Sequence, residues 1–84
     1  MPATEKNTFL IQVGLQIKKA RLKRELSRYQ LAFEVGTSEK HIRQIEGGEI
    51  NTSIYKIYQI AMALEMKPED LIKVSGRKNE VFRA

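Results

Sequence analysis

The stretch VGTSEKHIRQIEGG, from Val35 to Gly48, decides the fold because it places one glycine between two short amphipathic runs. A glycine within a helical pattern costs about 1 kcal/mol relative to alanine, so Gly36 indicates a point that needs backbone freedom. A helix that ends at such a glycine and is followed at once by a capped helix must turn a sharp corner. The spacing therefore predicts a helix-turn-helix, with Ser38 as the cap of its second helix.

The run after this corner has two different faces. Ile42 and Ile45, three residues apart, define the inner face. At about 100° per residue, the opposite side carries a polar set, with one acidic residue on its flank. The set is Lys40, Arg43, Gln44 and Gly47, with Glu39 on the flank. Arg and Lys can pair with guanine, Gln with adenine and Glu with cytosine in a major groove. A solvated helix face is the alternative, and the position directly after the corner favours nucleic-acid recognition.

The rest of the chain predicts an all-α fold of five helices. Apolar residues recur every three or four positions over residues 9–26, which indicates a first long helix. Ser27 caps the second helix, Ser53 caps the fourth, and Pro68 suits the first turn of the fifth. We expect residues 9–74 to form the domain, between a flexible N-terminal segment, residues 1–8, and a polar tail, residues 75–84.

Composition limits the classes of function. The 84 residues make one small domain, and the absence of cysteine excludes disulfides and thiolate metal sites. We see no secretion signal or membrane span and expect a cytoplasmic protein. Fifteen Lys and Arg against ten Asp and Glu give a net charge of +5, which favours a polyanionic partner. With one histidine and one aspartate, we expect no catalytic set, no metal site and no cofactor, and so no enzyme.

Two longer segments carry a family resemblance. The run SRYQLAFEVGTSEKHIRQIEGGEINTSIYKIYQIAMALEMKPEDLI, with VGLQIKKAR before it, resembles the XRE family of Cro and phage-repressor type. The family pattern runs Leu-Ser-Gln-x-x-Leu-Ala, Gly-Val-Ser, Ile-x-x-x-Glu-x-Gly and Ile-Ala-x-Ala-Leu, and the likeness covers about residues 13–72. It implies a lambda-repressor-like domain whose second and third helices form the helix-turn-helix. It also implies a sequence-specific regulator of transcription, a repressor or autoregulator, that binds double-stranded DNA.

The resemblance assigns roles to individual positions. Glu39, Lys40 and Gln44 match base-reading positions, while Arg43 lies beside them for a base or a phosphate. Arg28 stands where the family often has glutamine, at a helix start that suits a phosphate, with ordinary solvation as the alternative. The complete set of implied DNA-binding residues is Arg28, Ser38, Glu39, Lys40, Arg43, Gln44, Asn51 and Lys56.

Two further features follow from the family pattern. Arg21 and Glu46 match a pair that joins the first helix to the recognition helix, and we expect a partly buried ion pair that fixes the angle of that helix. Independent surface charges are the alternative. Glu25 and Glu65 stand where the family often ends helices with glycine, so those ends need another cap or a non-glycine residue in the left-handed region.

Binding energetics predict a homodimer. One recognition helix that reads a few base edges, at roughly 1 to 3 kcal/mol each, cannot reach a specific dissociation constant of about 10⁻⁸ M. Two copies on an inverted repeat, with recognition helices about 34 Å apart, can reach it. We expect the fourth and fifth helices to form the interface, with the tail as an accessory.

A second apolar surface provides an alternative contact. Ile11, Leu15 and Leu22 form an apolar line on the outer side of the first helix. We expect this line to pack against Val81 and Phe82 of the tail or against a second subunit.

Two other functions remain open. The chain could be an antitoxin, in which contact with a toxin is primary and DNA binding is secondary. It could also be the controller protein of a restriction-modification system, since such proteins are similarly small.

Overall fold

The computed structural model describes residues 3–73, and these residues form five helices. In chain order the helices are α1 (Ala3–Lys23), α2 (Arg28–Val35), α3 (Glu39–Glu46), α4 (Ile54–Ala63) and α5 (Pro68–Ile72). Residues 3–73 contain no β-strand. The predicted all-α fold of five helices is therefore confirmed, with α2 and α3 as the pair around the glycine corner.

Helix α1 differs from its predicted limits at both ends. It begins at Ala3, so residues 3–8 are helical where the sequence predicted a flexible segment. No proline or glycine interrupts this stretch, and Glu5 lies in the first turn, where a negative charge favours the helix dipole. The helix ends at Lys23 rather than near residue 26, because Glu25 has a φ of 59°. The predicted tail, residues 75–84, lies outside the described residues, as does the predicted contact of Val81 and Phe82.

Serine side chains define the start of three successive helices. Ser27, Ser38 and Ser53 each accept a hydrogen bond from the backbone N–H three residues later, at 3.0 Å in every case. At Ser27 the cap is reciprocal, because the Gln30 side chain accepts from the Ser27 N–H at 2.8 Å. Helices of eight to ten residues are marginal alone, so a cap that contributes about 1 kcal/mol matters to each.

One core joins all five helices. Each helix contributes one fully buried large side chain, and these are Ile17, Leu31, Ile42, Ile60 and Leu71. Helix α3 packs against α1 and α2, while α4 packs against α2 and α5. Because α3 lies against its neighbours on one side only, its opposite side stays open to solvent. Within residues 3–73, no helix is both long enough and apolar enough to cross a lipid bilayer.

Two helix ends place a glutamate where glycine is usual. Glu25 and Glu65 both have a φ of 59°, in the left-handed region. The residues that follow complete the turns, since the Leu26 N–H donates to the Arg21 carbonyl and the Met66 N–H to the Ala61 carbonyl. The second of the two predicted solutions is therefore the one adopted, at a conformational cost of roughly 1 kcal/mol per site.

Candidate nucleic-acid interface

The corner between α2 and α3 has the geometry that its glycine predicts. Gly36 has φ 80° and ψ 36°, and its N–H donates to the Ala32 carbonyl at 2.9 Å. The N–H of Thr37 donates to the same carbonyl at 2.9 Å, which closes the end of α2. Only residues 36–38 separate the two helices. A turn this short, with left-handed glycine, produces the sharp crossing of a helix-turn-helix.

Helix α3 presents one apolar and one polar face. Ile42 and Ile45 are buried, whereas Lys40 and Arg43 are exposed and Gln44 is half-buried. Residues three and four positions apart share a side of a helix, so Lys40, Arg43 and Gln44 lie next to one another. We name this exposed surface, formed by Lys40, Arg43 and Gln44 with Glu39 exposed at its N-terminal edge, the reading face. Lys40 and Arg43 are exposed as the sequence predicted, whereas Gln44 is less exposed than predicted.

Two glycines allow α1 to lie directly on the end of α3. A Cβ added at Gly14 would clash with the backbone carbonyl oxygens of Ile45 and Glu46. A Cβ at Gly48 would lie 2.7 Å from the Cα of Ile11. Neither contact was predicted from the sequence. Gly14 gave an indication, because a glycine inside a helix costs about 1 kcal/mol relative to alanine and usually has a packing or functional reason.

Arg21 and Glu46 form an ion pair beneath the reading face. The Nε atom of Arg21 donates to Oε2 of Glu46 at 2.6 Å, and Nη2 donates to Oε1 at 3.1 Å. The side chains are 6% and 2% exposed, so this pair is buried rather than partly buried. The remaining Nη1 of Arg21 donates to the Leu26 carbonyl at 2.7 Å. The pair joins α1 to the last residue of α3.

Arg28 makes a contact that the sequence did not predict. Its Nε donates to Oε1 of Glu46 at 3.1 Å, while its side chain is 36% exposed. Glu46 thus accepts from two guanidinium groups and connects α1, α2 and α3. Arg28 and Glu46 lie on different helices and 18 residues apart, so no local spacing rule identifies their contact. The alternative, in which water alone solvates the Arg28 side chain, is therefore wrong for its Nε atom.

The remaining predicted contacts belong to residues outside the reading face. Ser38 is exposed at the start of α3, and its Oγ accepts from the His41 N–H. His41 Nε2 lies 3.2 Å from Oγ1 of Thr52, which joins α3 to the following loop, and Asn51, next to Thr52 in the chain, is exposed. Lys56 is half-buried in the first turn of α4. The described contacts do not join Lys56 directly to the reading face.

Comparison with known proteins identifies the family. The helix-turn-helix family HTH_3 matches residues 17–71, from the middle of α1 into α5. The chain belongs to this family. The control protein C.BamHI of Bacillus amyloliquefaciens is 34% identical to this HTH_3 protein over 67 residues, which are 79% of this chain and 83% of that protein.

Solved structures share the fold. The restriction-modification controller protein C.AhdI of Aeromonas hydrophila is 29% identical, with a TM-score of 0.75 over 77% of this chain and 94% of that one. An HTH_3 family transcriptional regulator of Vibrio cholerae is 32% identical, with a TM-score of 0.73 over 79% of this chain and 37% of that one. The hypothetical transcription factor NHTF of Neisseria, at 16% identity and a TM-score of 0.78, supports the fold alone.

These findings confirm three predictions. The chain resembles the XRE, or Cro and phage-repressor, type because it is an HTH_3 protein. Its fold is the lambda-repressor-like fold of five helices. Its function is that of a DNA-binding transcriptional regulator, and its relatives are regulators rather than enzymes.

Proposed function

We propose that this HTH_3 protein binds an inverted-repeat operator as a homodimer and controls transcription of a restriction-modification system. One observation carries the DNA-binding part of this proposal: α3 buries Ile42 and Ile45 while its reading face stays open. A helix held on one side and polar on the other can enter a major groove, which is wide enough for one helix.

The chemistry of the reading face supports direct recognition of bases. Lys40 and Arg43 carry the donors that match guanine O6 and N7, and the Gln44 amide matches adenine N6 and N7. Glu39 can accept from cytosine N4. Around this face we assign Arg28, Ser38, Asn51 and Lys56 to the phosphate backbone. The net charge of +5 adds a long-range attraction to DNA that weakens as salt rises.

The outer side of α4 supports the dimer. Tyr55 and Tyr58 are exposed and stack with ring centroids 6.3 Å apart, and Met62 is exposed one turn further. We name the surface formed by Tyr55, Tyr58 and Met62 the α4 stripe. Ile54, which is 86% exposed, extends it towards the start of the helix. A contiguous apolar patch of this kind indicates a protein interface, and a second copy is the partner that an inverted repeat requires.

The relatives favour the controller variant over the antitoxin. Two of them, C.BamHI and C.AhdI, are named as control proteins, and the matches cover 83% and 94% of those chains. The likeness therefore spans nearly whole proteins of this class rather than a shared DNA-binding segment alone. No comparable observation supports contact with a toxin. We accordingly propose a controller protein that acts at the promoter of its own restriction-modification genes.

Selection of bound sequences from a random duplex pool, at two salt concentrations, tests the proposal. We expect one palindromic sequence to be enriched, with binding that weakens steeply as salt rises. The double variant Lys40→Ala, Gln44→Ala should bind with relaxed sequence preference. Lys18→Ala, which removes an exposed lysine of α1, is the matched control and should keep the preference. Enrichment of no sequence would overturn the proposal, and enrichment of a single half-site would overturn the dimer.

A further inference from the structure

The contacts of Glu46 leave one positive charge without a counterpart. Its carboxylate accepts two bonds from Arg21 and one from Arg28, so one negative charge faces two guanidinium groups. Arg21 uses all three of its nitrogens on protein acceptors. Arg28 uses only Nε, and its two Nη atoms have no acceptor within residues 3–73. The surplus charge therefore belongs to the exposed end of Arg28.

We propose that Glu46 positions Arg28 as a ligand for one phosphate of the DNA backbone, and that this contact is thereby coupled to the placement of α3. The inference rests on the proposed function, because it concerns the same DNA complex. It assigns Glu46 a second role beside its pair with Arg21: orienting a residue that touches DNA.

The shape of the guanidinium group explains the positioning. The group is planar, so a hydrogen bond at Nε fixes the direction of the Nη1 and Nη2 edge. That edge matches two oxygens of one phosphate, and such bidentate pairs are among the stronger charged hydrogen bonds. Without Glu46, the long side chain of Arg28 would sample many rotamers. With Glu46, its free edge is held outward at the exposed start of α2.

Charge balance separates Arg28 from the other half-exposed arginine nearby. Arg24 is 34% exposed, close to the 36% of Arg28. Its guanidinium lies 3.9 Å from Glu34 and 3.8 Å from Glu65, and Nη1 also donates to the Ala63 carbonyl. Arg24 therefore faces two carboxylates, whereas Arg28 shares one carboxylate with Arg21. Of these two arginines, Arg28 is the one whose charge a phosphate would balance.

The position of Glu46 explains the coupling. Glu46 is the last residue of α3, and Arg28 is the first residue of α2. A phosphate bound by Arg28 is linked through one carboxylate to the end of the recognition helix. The same contact then sets both the position of the protein along the DNA backbone and the insertion of the reading face into the groove. This agrees with the general rule that phosphate contacts position a protein while base contacts specify the sequence.

Single uncharged methylphosphonate linkages, introduced one at a time into the selected operator, provide the test. We expect one linkage in each half-site to weaken wild-type binding about tenfold, the loss expected for one charged hydrogen bond. Arg28→Ala should abolish the effect at that linkage only, and should lower the salt slope by about 1 for each subunit.

Arg28→Lys tests whether a planar guanidinium, which can bond Glu46 and a phosphate at separate edges, is required. The lysine keeps the charge, but one ammonium cannot hold Glu46 with one atom and a phosphate with a separate edge. We expect affinity to fall about tenfold while the salt slope stays near the wild-type value. Arg24→Lys is the matched control and should bind as the wild type does. Circular dichroism should show that both variants remain folded.

The outcomes separate this inference from the proposed function. Arg28→Lys with wild-type affinity would overturn the positioning role. Arg28→Ala with unchanged sensitivity at every methylphosphonate would overturn the phosphate contact itself. In both cases the wild type still selects its operator, so the proposed function stands. If the wild type binds no duplex, the proposed function and this inference fail together.

Discussion

The Nε atom of Arg21 on α1 lies 2.6 Å from Oε2 of Glu46 on α3, in a part of the core where both side chains are withdrawn from water. A second bond, from Nη2 to Oε1 at 3.1 Å, makes the contact bidentate. Two parallel bonds define an angle as well as a distance. The pair is thus suited to fix the orientation of α3 relative to α1, which remains our prediction for its role.

Removal of the negative charge should destabilise the fold. Glu46→Gln preserves the size of the side chain but leaves the Arg21 guanidinium buried without a counter-ion. We expect the free energy of unfolding to fall by about 3 to 5 kcal/mol. Urea denaturation followed by circular dichroism measures this change. Glu34→Gln, at an exposed carboxylate, is the control and should stay within about 0.5 kcal/mol of the wild type. If Glu46→Gln lost no more free energy of unfolding than Glu34→Gln, the buried pair would contribute little to stability.

A methyl group added at Gly14 should disturb the packing of α3 against α1. Alanine favours a helix by about 1 kcal/mol over glycine, so an open site would gain stability. Here the new Cβ meets the carbonyls of Ile45 and Glu46, and we expect a net loss of about 1 to 3 kcal/mol.

Gly47→Ala is the matched control for this experiment. Gly47 has a φ of −83°, and the nearest atom to an added Cβ is the flexible Glu49 Oε2, at 3.0 Å. We expect its melting temperature to stay near that of the wild type. A Gly14→Ala protein as stable as Gly47→Ala would contradict the close approach of α1 to α3.

Glycine at the left-handed glutamates should stabilise the domain. Glu25→Gly and Glu65→Gly remove the steric cost of a φ of 59°, partly offset by the greater freedom of glycine in the unfolded chain. We expect a gain of up to about 1 kcal/mol for each, measured by thermal denaturation. Gly36→Ala makes the opposite change at a φ of 80°, where no neighbour lies within 4 Å, and should lose about 1 kcal/mol. A loss of stability in the glycine variants would show that side-chain contacts of the glutamates outweigh the backbone strain.

Positive charge introduced on the α4 stripe should dissociate the proposed dimer into monomers. For the double variant Tyr58→Lys, Met62→Lys, we expect a folded monomer by analytical ultracentrifugation and at least a hundredfold loss in affinity for the full operator. The loss arises because one half-site contributes too little binding energy alone. Ile11→Lys, Leu15→Lys tests the α1 line with residues of similar exposure, since Leu15 is 48% and Tyr58 49% exposed. A monomer from the second pair and a dimer from the first would move the interface to α1.

Local chemistry made the corner and the reading face predictable. A left-handed glycine and a serine cap act within a few residues, and the two faces of α3 follow from helical period. The start of α1 was missed because residues 3–8 carry no periodic apolar pattern there, and their helix continues from the packed part of α1. The contact between Arg28 and Glu46 could not be predicted, because it exists only once α2 and α3 have packed.

The contribution of one fully buried side chain from every helix has a consequence for turnover in the cell. Even the five-residue α5 is anchored, by Leu71, so unfolding of any one of the five helices would expose part of the shared core to water. We therefore expect the five helices to unfold as one cooperative unit, in which case a protease cleaves mainly the unfolded chain. The steady-state amount of such a regulator would respond sharply to small losses in folding free energy.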